Sequence, residues 1–492
     1  MRKGAAPFLV ILGALAIAIG WAPVEGKDRA YPQAPMQVMT EGLTAAEHLQ
    51  IQAELSQWLL SEAQASALKN PVRIQATREE IDSLEQAAGA STPLKIGLVK
   101  AMTPAIEIDG LALGSSRRSP RRAASAILSP TAAGGAVWTL ALVAEDAGAI
   151  RLHVEEMSLP ANAALYVYSR DGEAFGPYTA AGPDGTGEVW TTAVFGSEVI
   201  LQVKVSAPVV EEDLQAATLR VTEAGLITRR FTDGLRSQPA AGTAAASACG
   251  NANCVVDATC VTGTPADPAK NAVAKMEWVQ GSFIYTCTGG LIADNNPSQS
   301  NFFLTANHCV SKNNAAGHVD FYWRFATDTC GGSCPVNNGW PYKTTGSTVS
   351  TTGKRGDYSL LHLNVNPPAG SVFLGWSSAP VANTSGAHLW RVSNPNFGPQ
   401  VYSQHDVDTA VGTCGGWPRG ERIYSRDIDG AIAGGSSGSP IVNDSSQIVG
   451  QLSGTCGSSP SEVCSSGPGE ANATVDGAFA FYFANIQSIL NP

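Results

Sequence analysis

The rhythm of apolar and polar residues changes several times along this chain. Behind Arg2 and Lys3 runs an unbroken apolar stretch from Ala6 to Ala22, with small side chains following at Val24 and Gly26. A charged start, an apolar middle and small residues before a cut form the order of a secretory signal peptide. Residues 1–26 are therefore read as a signal, with cleavage near Gly26; an uncleaved anchor helix is the competing reading. From Thr40 to about Asn70, Leu43, His48, Leu49, Ile51, Leu55, Leu59 and Leu60 recur at about the 3.6-residue helical period. That predicts a helix, and residues 27–130 read as a partly helical segment. It also holds Ser115 to Arg122 (SSRRSPRR), read as a solvated loop.

Beyond it the period shortens to two. VWTLALV, IRLHVEEM, ALYVYS, GEVWTTAVF and EVILQVKV alternate apolar and polar positions between about Ala136 and Ser206. Turn signals such as Arg170-Asp171-Gly172 and Gly182-Pro183-Asp184-Gly185 separate them. Residues 131–236 are expected to form a small antiparallel β-sandwich. Its histidine, His153, reads as structural. Residues 237–248 (SQPAAGTAAASA) are small and unpatterned, a linker. From Cys249 to Pro492 the chain turns to short strands rich in Gly and Ser, a length that suits one double-barrel or sandwich domain.

Composition narrows the class. The 492 residues are 44% hydrophobic and only 15% charged, with 51 Gly and 29 Pro, which excludes a coiled coil and a charged disordered chain. With a net charge of −11, binding nucleic acid by bulk charge is excluded too. All ten cysteines lie between Cys249 and Cys464, an even number confined to one half, as in a disulfide-stapled domain of an oxidising compartment. Their spacings lack the paired knuckles of a zinc site, so no metal is expected.

Three segments of residues 249–492 carry candidate chemistry, in the order His, Asp, Ser: Phe303 to Cys309 (FLTANHC), Gly356 to Leu361 (GDYSLL) and Gly434 to Pro440 (GGSSGSP). A serine hydroxyl needs a base to take its proton, which assigns His308 to Ser437. The imidazole in turn needs its second nitrogen held and its positive charge stabilised, the part given to Asp357. The turn Gly435-Ser436-Ser437 can aim the N–H groups of Gly435 and Ser437 at a developing oxyanion. A rival acid–base grouping, Asp406 and Asp408 near His405, has no nucleophile motif beside it.

On these segments the chain resembles the chymotrypsin-like (trypsin-fold) serine endopeptidases over about residues 250–490. The resemblance implies two six-stranded antiparallel β-barrels in a mainly β protein. Ser436 stands where that family has an aspartate and Ser439 where it has a second glycine. Activation through an ion pair from a new N-terminus to that aspartate is therefore not expected. The GSSGSP loop and Gly450-Gln451-Leu452 are most similar to secreted bacterial lysyl endopeptidases, which are made with long propeptides. That gives residues 27–248 the role of a propeptide. It also implies that Cys287 pairs with Cys309, Cys260 with Cys330, and Cys254 with Cys464 or Cys456.

Specificity departs from that family. Where lysyl endopeptidases place a lysine-binding aspartate two residues before Tyr-Gly, this chain has Thr474, and Asp476 takes the tyrosine position. Ser453 replaces the histidine after GQL, and the wall Ala431-Ile432-Ala433 is uncharged. A pocket lined this way is expected to prefer small or aliphatic P1 side chains; the alternative is that Asp476 selects a basic one. Between Arg236 and Cys254 there is no Lys or Arg. Self-cleavage is accordingly expected within Ala240–Cys249, after a small residue. The sum is a secreted, monomeric prepro-enzyme acting on polypeptides, with its own propeptide as partner, no cofactor, and no membrane attachment after signal removal. An inactive homologue acting as a binding protein is the different-class alternative.

Overall fold

The structure, a computed structural model, describes residues 31–88, 92–113, 126–228, 251–296, 299–331 and 342–491. The signal segment, the SSRRSPRR loop, the linker 237–248, Cys249 and Cys334 lie outside these residues. The chain is mainly β with few helices.

Helix α1 (Ala45–Glu62) falls within the stretch of helical period. It begins where Thr44 and Glu47 form a reciprocal capping box, so both orphan donors at the end are satisfied. Its buried face carries Gln52, Ser56 and Leu59, and Ser56 donates to the Ser169 carbonyl at 2.7 Å. Leu59 packs with Ala141, Tyr168, Ala174 and Ile200, so the helix is fixed to a sheet rather than standing alone.

The N-terminal strands are β1 (Leu94–Asp109), β2 (Ala136–Val143), β3 (Ala147–Ser158), β4 (Ala163–Tyr168), β5 (Ala174–Thr179), β6 (Glu198–Val205) and β7 (Thr218–Thr228). One sheet runs β5–β4–β6–β2 and another runs β3–β7–β1, all antiparallel. Inward residues of both, such as Leu98, Leu142, Leu152, Leu165, Leu201 and Val221, share one hydrophobic cluster. The alternating runs became strands, except GEVWTTAVF. That run gives only the pieces Val189–Trp190 and Val194–Phe195, both laid on β3.

The C-terminal region begins with β8 (Val273–Gln280), β9 (Phe283–Leu291), β10 (Phe302–Ala306), β11 (Asp320–Trp323), β12 (Tyr342–Thr345), β13 (Ser347–Gly353) and β14 (Tyr358–Leu363). They pair as a curled half-barrel around Met276, Trp278, Phe303, Phe321 and Trp323. Next come β15 (His388–Ser393), β16 (Val401–Val407), β17 (Arg422–Gly430), β18 (Pro440–Val442), β19 (Ile448–Gly457) and β20 (Asn472–Ala478). Their pairings close a ring, β18–β15–β16–β17–β20–β19 and back to β18, which is a six-stranded barrel. Helix α2 (Phe479–Leu490) follows and buries Phe479, Tyr482, Phe483, Ile486 and Leu490.

The two regions are not joined by the linker alone. The free edge of β1 pairs antiparallel with β9, so one sheet runs from the N-terminal strands into the half-barrel. Further upstream, Gln33–Ala34 pairs with Trp376–Ser377, and Gln37–Val38 with Val372–Phe373.

Candidate catalytic site

His308 and Asp357 come from neighbouring strands. β10 leads into His308 and β14 begins just after Asp357, and the two strands pair from Ala306↔Tyr358 onward. Asp357 accepts the His308 backbone N–H at 3.0 Å through Oδ1 and faces His308 Nδ1 at 2.8 Å through Oδ2. Backbone and ring are thus held by one carboxylate, while no hydrogen bond joins the other ring nitrogen to Ser437. Nε2 is buried and has no hydrogen-bond partner.

Asp357 sits at φ +52°, the left-handed region, and its turn is supported from behind. Gln451 Nε2 donates to the carbonyls of Gly356 and Asp357 at 2.9 and 2.8 Å. Tyr482 donates to Gln451 Oε1, and burial pushes its phenol pKa well above the ordinary value, so it stays a neutral donor. Arg422 lies near Asp357. Burial lowers its guanidinium pKa and the Asp357 charge pulls it back up.

The Gly434–Pro440 loop is seated on β9, the strand that pairs with β10. Thr288 N–H donates to the Ser437 carbonyl at 2.8 Å, and the Thr288 hydroxyl donates to the Gly435 carbonyl at 2.8 Å. Gly435 (φ +96°) and Gly438 (φ +81°) take backbone angles that side chains rarely adopt. Gly438 also needs closeness: a Cβ there would meet Thr305 Oγ1 at 2.2 Å and Ala306 N at 2.8 Å. The loop is therefore pressed onto the strand that carries His308. Ser436, in the place of an aspartate, is fully buried and its hydroxyl accepts from Ser393 at 3.0 Å.

The pocket candidates separate. Ala431 and Ile432 are buried, with Ala433 half-buried behind the loop. Ser453 is buried, and its hydroxyl has no partner. Thr474 turns its hydroxyl onto Asp427 Oδ1 at 2.7 Å. Asp476 is fully buried in an ion pair with Arg391, which also donates to Ser439 O and Oγ at 3.0 Å. His405 does not meet Asp406 or Asp408; it bonds Asp427 at 2.8 Å and Ser403 at 2.7 Å inside the barrel. Asp406 instead faces His388 and Asp408 faces Arg426.

Disulfides join Cys287–Cys309, Cys260–Cys330, Cys254–Cys464 and Cys414–Cys456 among the described residues. Of the two partners open to Cys254, the structure gives it Cys464. The sulfurs of Cys287 and Cys309 lie within 4.8 Å of a His308 ring nitrogen, but the disulfide leaves neither as a metal-binding thiolate. Sequence reasoning missed Thr288, Tyr482 and Arg391. Only Gln451 lay inside a motif already noticed.

Residues 250–467 match the family model described as lysyl endopeptidase, C-terminal domain. These residues are similar to the C-terminal domain of lysyl endopeptidases, which are serine proteases. The lysyl endopeptidase of Pseudomonas aeruginosa is 29% identical over 384 residues, covering 75% of this chain and 76% of that protein. Among solved structures, the Rv3671c protease of M. tuberculosis in its active form is 17% identical with a TM-score of 0.32. The match covers 47% of this chain and 87% of that one. The HtrA-type protease AlgW with tripeptide is 16% identical with a TM-score of 0.32, over 46% of this chain. Only 62% of AlgW is spanned, less than two thirds of its length. The similarity to the Pseudomonas lysyl endopeptidase extends well beyond the protease domain, since 384 residues exceed the 250–467 match. No helix among the described residues is long and apolar enough to cross a membrane.

Proposed function

We propose that this protein is a secreted serine endopeptidase, made as a precursor, that hydrolyses peptide bonds through an acyl-enzyme on Ser437. The observation that carries this reading is the paired hold of Asp357 on His308, through both the backbone N–H and Nδ1, with Nε2 left unbonded. In this arrangement His308 takes the Ser437 proton as the hydroxyl attacks the substrate carbonyl, and later gives it to the leaving amine. Asp357 stabilises the imidazolium between those steps. The N–H groups of Gly435 and Ser437 receive the oxyanion. On this reading the catalytic domain is a pair of barrels, and residues 27–248, with their β-sandwich, are a propeptide cut within Ala240–Cys249.

For P1 the proposal is a small or aliphatic side chain. Ala431, Ile432 and Ala433 bring no charge, and the Asp476 carboxylate is already neutralised by Arg391. A basic P1 is favoured by two unpartnered carboxylate oxygens: Asp427 Oδ2, behind Thr474, and Asp476 Oδ2, the oxygen that Arg391 leaves free, are both buried without a hydrogen bond. Replacing Ser437 with Ala tests the mechanism. Turnover of a casein-type substrate should fall about 10⁴- to 10⁶-fold. Activity within tenfold of the parent would falsify the triad. A peptide-library profile of the parent separates the two P1 readings: cleavage only after Lys or Arg removes the aliphatic one.

A further inference from the structure

His308 and Asp357 stand at the ends of β10 and β14 in the half-barrel, whereas Ser437 stands just before β18 in the closed barrel. No hydrogen bond joins His308 Nε2 to Ser437, so their separation depends on what ties one barrel to the other. Gln451, on β19 of the closed barrel, is such a tie. Its main chain belongs to the side of Ser437. Gln451 is the register partner of Pro440, and its neighbour Leu452 donates to the Ser439 carbonyl at 2.9 Å and accepts from the Gly438 N–H at 2.8 Å. Its side chain belongs to the other side, since Nε2 donates to the carbonyls of Gly356 and Asp357. The Asp357 carbonyl also accepts the Asn307 N–H at 3.1 Å, so one oxygen joins Gln451 to the residue before His308.

Both donors of the Gln451 amide are spent on carbonyls, so Oε1 must face the other way, and there the Tyr482 hydroxyl donates to it. Tyr482 is itself fixed. It is fully buried, and its ring stacks on Tyr358 with centroids 4.3 Å apart and 14° between the planes. The fit around the amide is close: a Cβ on Gly477 would meet Gln451 Nε2 at 2.2 Å, and one on Gly356 would meet Tyr482 Cδ1 at 2.9 Å. The far end of α2 returns to the half-barrel, where the Asn295 N–H donates to the Leu490 carbonyl at 2.8 Å. We infer that Gln451 and Tyr482 are positioning residues that work as one unit, holding the Asp357 turn, and with it His308, at reacting distance from Ser437. This rests on the endopeptidase reading. A buried amide with every hydrogen bond made is rigid, whereas losing its donors leaves two buried carbonyls short of a partner and lets the turn drift. Tyr482 acts only through Gln451, so the effects of removing the two do not add.

The test is steady-state peptide hydrolysis by protein expressed as the full chain, with rates referred to the folded fraction. Gln451→Met keeps the length of the side chain and removes its hydrogen bonds; kcat should fall about 100-fold with KM unchanged. Tyr482→Phe should lower kcat about tenfold, again at unchanged KM. The double variant should be no slower than Gln451→Met alone. A role in packing alone would leave kcat of the folded protein where it was. A kcat for Tyr482→Phe within about twofold of the parent overturns the inference, and so does a loss carried by KM. A further tenfold loss on adding Tyr482→Phe to Gln451→Met overturns it as well. If Gln451→Met does not fold, Tyr482→Phe decides alone. If the parent hydrolyses nothing, the endopeptidase reading has failed, and proton NMR then decides about the positioning. A proton held between His308 Nδ1 and Asp357 gives a far-downfield resonance that is absent from His308→Ala. It should move upfield in Tyr482→Phe, and an unmoved resonance overturns the inference.

Discussion

The half-barrel and the closed barrel bury charge on opposite faces. The half-barrel keeps an apolar interior, with Met276, Trp278, Phe303, Phe321 and Trp323 packed together. Its charged residues point outward, yet they are buried because the N-terminal region covers them. Lys343 meets Glu173 at 2.7 Å, and Arg151 meets Glu277 at 3.1 Å and Asp320 at 3.7 Å. Lys275 sits beside them over Phe397 and Tyr322, and burial lowers its ammonium pKa well below the ordinary value. The closed barrel does the reverse and keeps Arg391–Asp476 and His405–Asp427 inside its own ring. A buried pair is costly to break because the survivor is left charged and dry. The interior pairs therefore belong to the barrel for good. On the precursor reading proposed above, the outer pairs would last only while both segments are docked, and separation would open each partner to water.

The largest expected effect is on the interior pair. Asp476→Ala strands the Arg391 guanidinium and should destabilise the protein by about 3–5 kcal/mol in denaturant unfolding. The loss should be the same in uncut and processed protein, because both partners lie in the closed barrel. Activity should fall with it, since Arg391 also anchors Ser439 beside the nucleophile loop. A loss below about 1 kcal/mol would mean that the pair is solvated, and the contrast with the outer face would collapse.

A smaller effect is expected across the segments. Glu173→Gln keeps the shape and an acceptor for Lys343 but removes the charge. Lys343 also retains the Ala193 carbonyl at 2.8 Å. The uncut chain should lose about 2 kcal/mol, and the processed protein, without its N-terminal region, nothing. An equal loss in both forms would show that the two segments do not separate.

The same contrast explains what could be read from sequence. The neighbourhood of His308 and Asp357, which the structure brings together, and the seat of the Ser437 loop on Thr288 go with short motifs whose neighbours have a local reason to be there. Gly435 and Gly438 are examples, required by positive φ and by the closeness of Thr305. The alternating runs from Ala136 to Val205 and the helix at Ala45–Glu62 were legible from their periods. The pairing of β1 with β9 was not, because a strand edge carries no side-chain signature of its distant partner. Nor was the fate of Asp476. As the alternative to an apolar pocket it reads as a selector of a basic side chain, whereas Arg391, 85 residues away, pairs with it. His405 was noticed with the wrong acids, since Asp406 is its chain neighbour and points to the other face of β16. Asp427 lies opposite His405 on β17. Sequence distance misleads wherever a barrel closes.

The remaining effect concerns pH and the outer face alone. Burial, with Glu277 nearby, raises the Asp320 carboxyl pKa from its ordinary 3.8 to about 6, although Arg151 opposes the shift. It also accepts from Ala193 N–H at 2.9 Å and from the Thr345 hydroxyl, so it is docked from both segments. A raised pKa means that the docked, folded form holds the proton more tightly than the unfolded chain does. The stability this group contributes is therefore complete below about pH 3.8 and is lost as pH rises through about 6. In the uncut chain, the unfolding free energy of the parent minus that of Asp320→Asn should fall between about pH 4 and pH 7. Subtracting the variant removes the other titrating groups, which both proteins share. In processed protein Asp320 regains water, and the difference should be flat. A difference that rises with pH would mean that Arg151 outweighs burial, so that Asp320 is held ionised as a true ion pair. The outer face would then resemble the Arg391–Asp476 pair in the closed barrel more than its open side suggests.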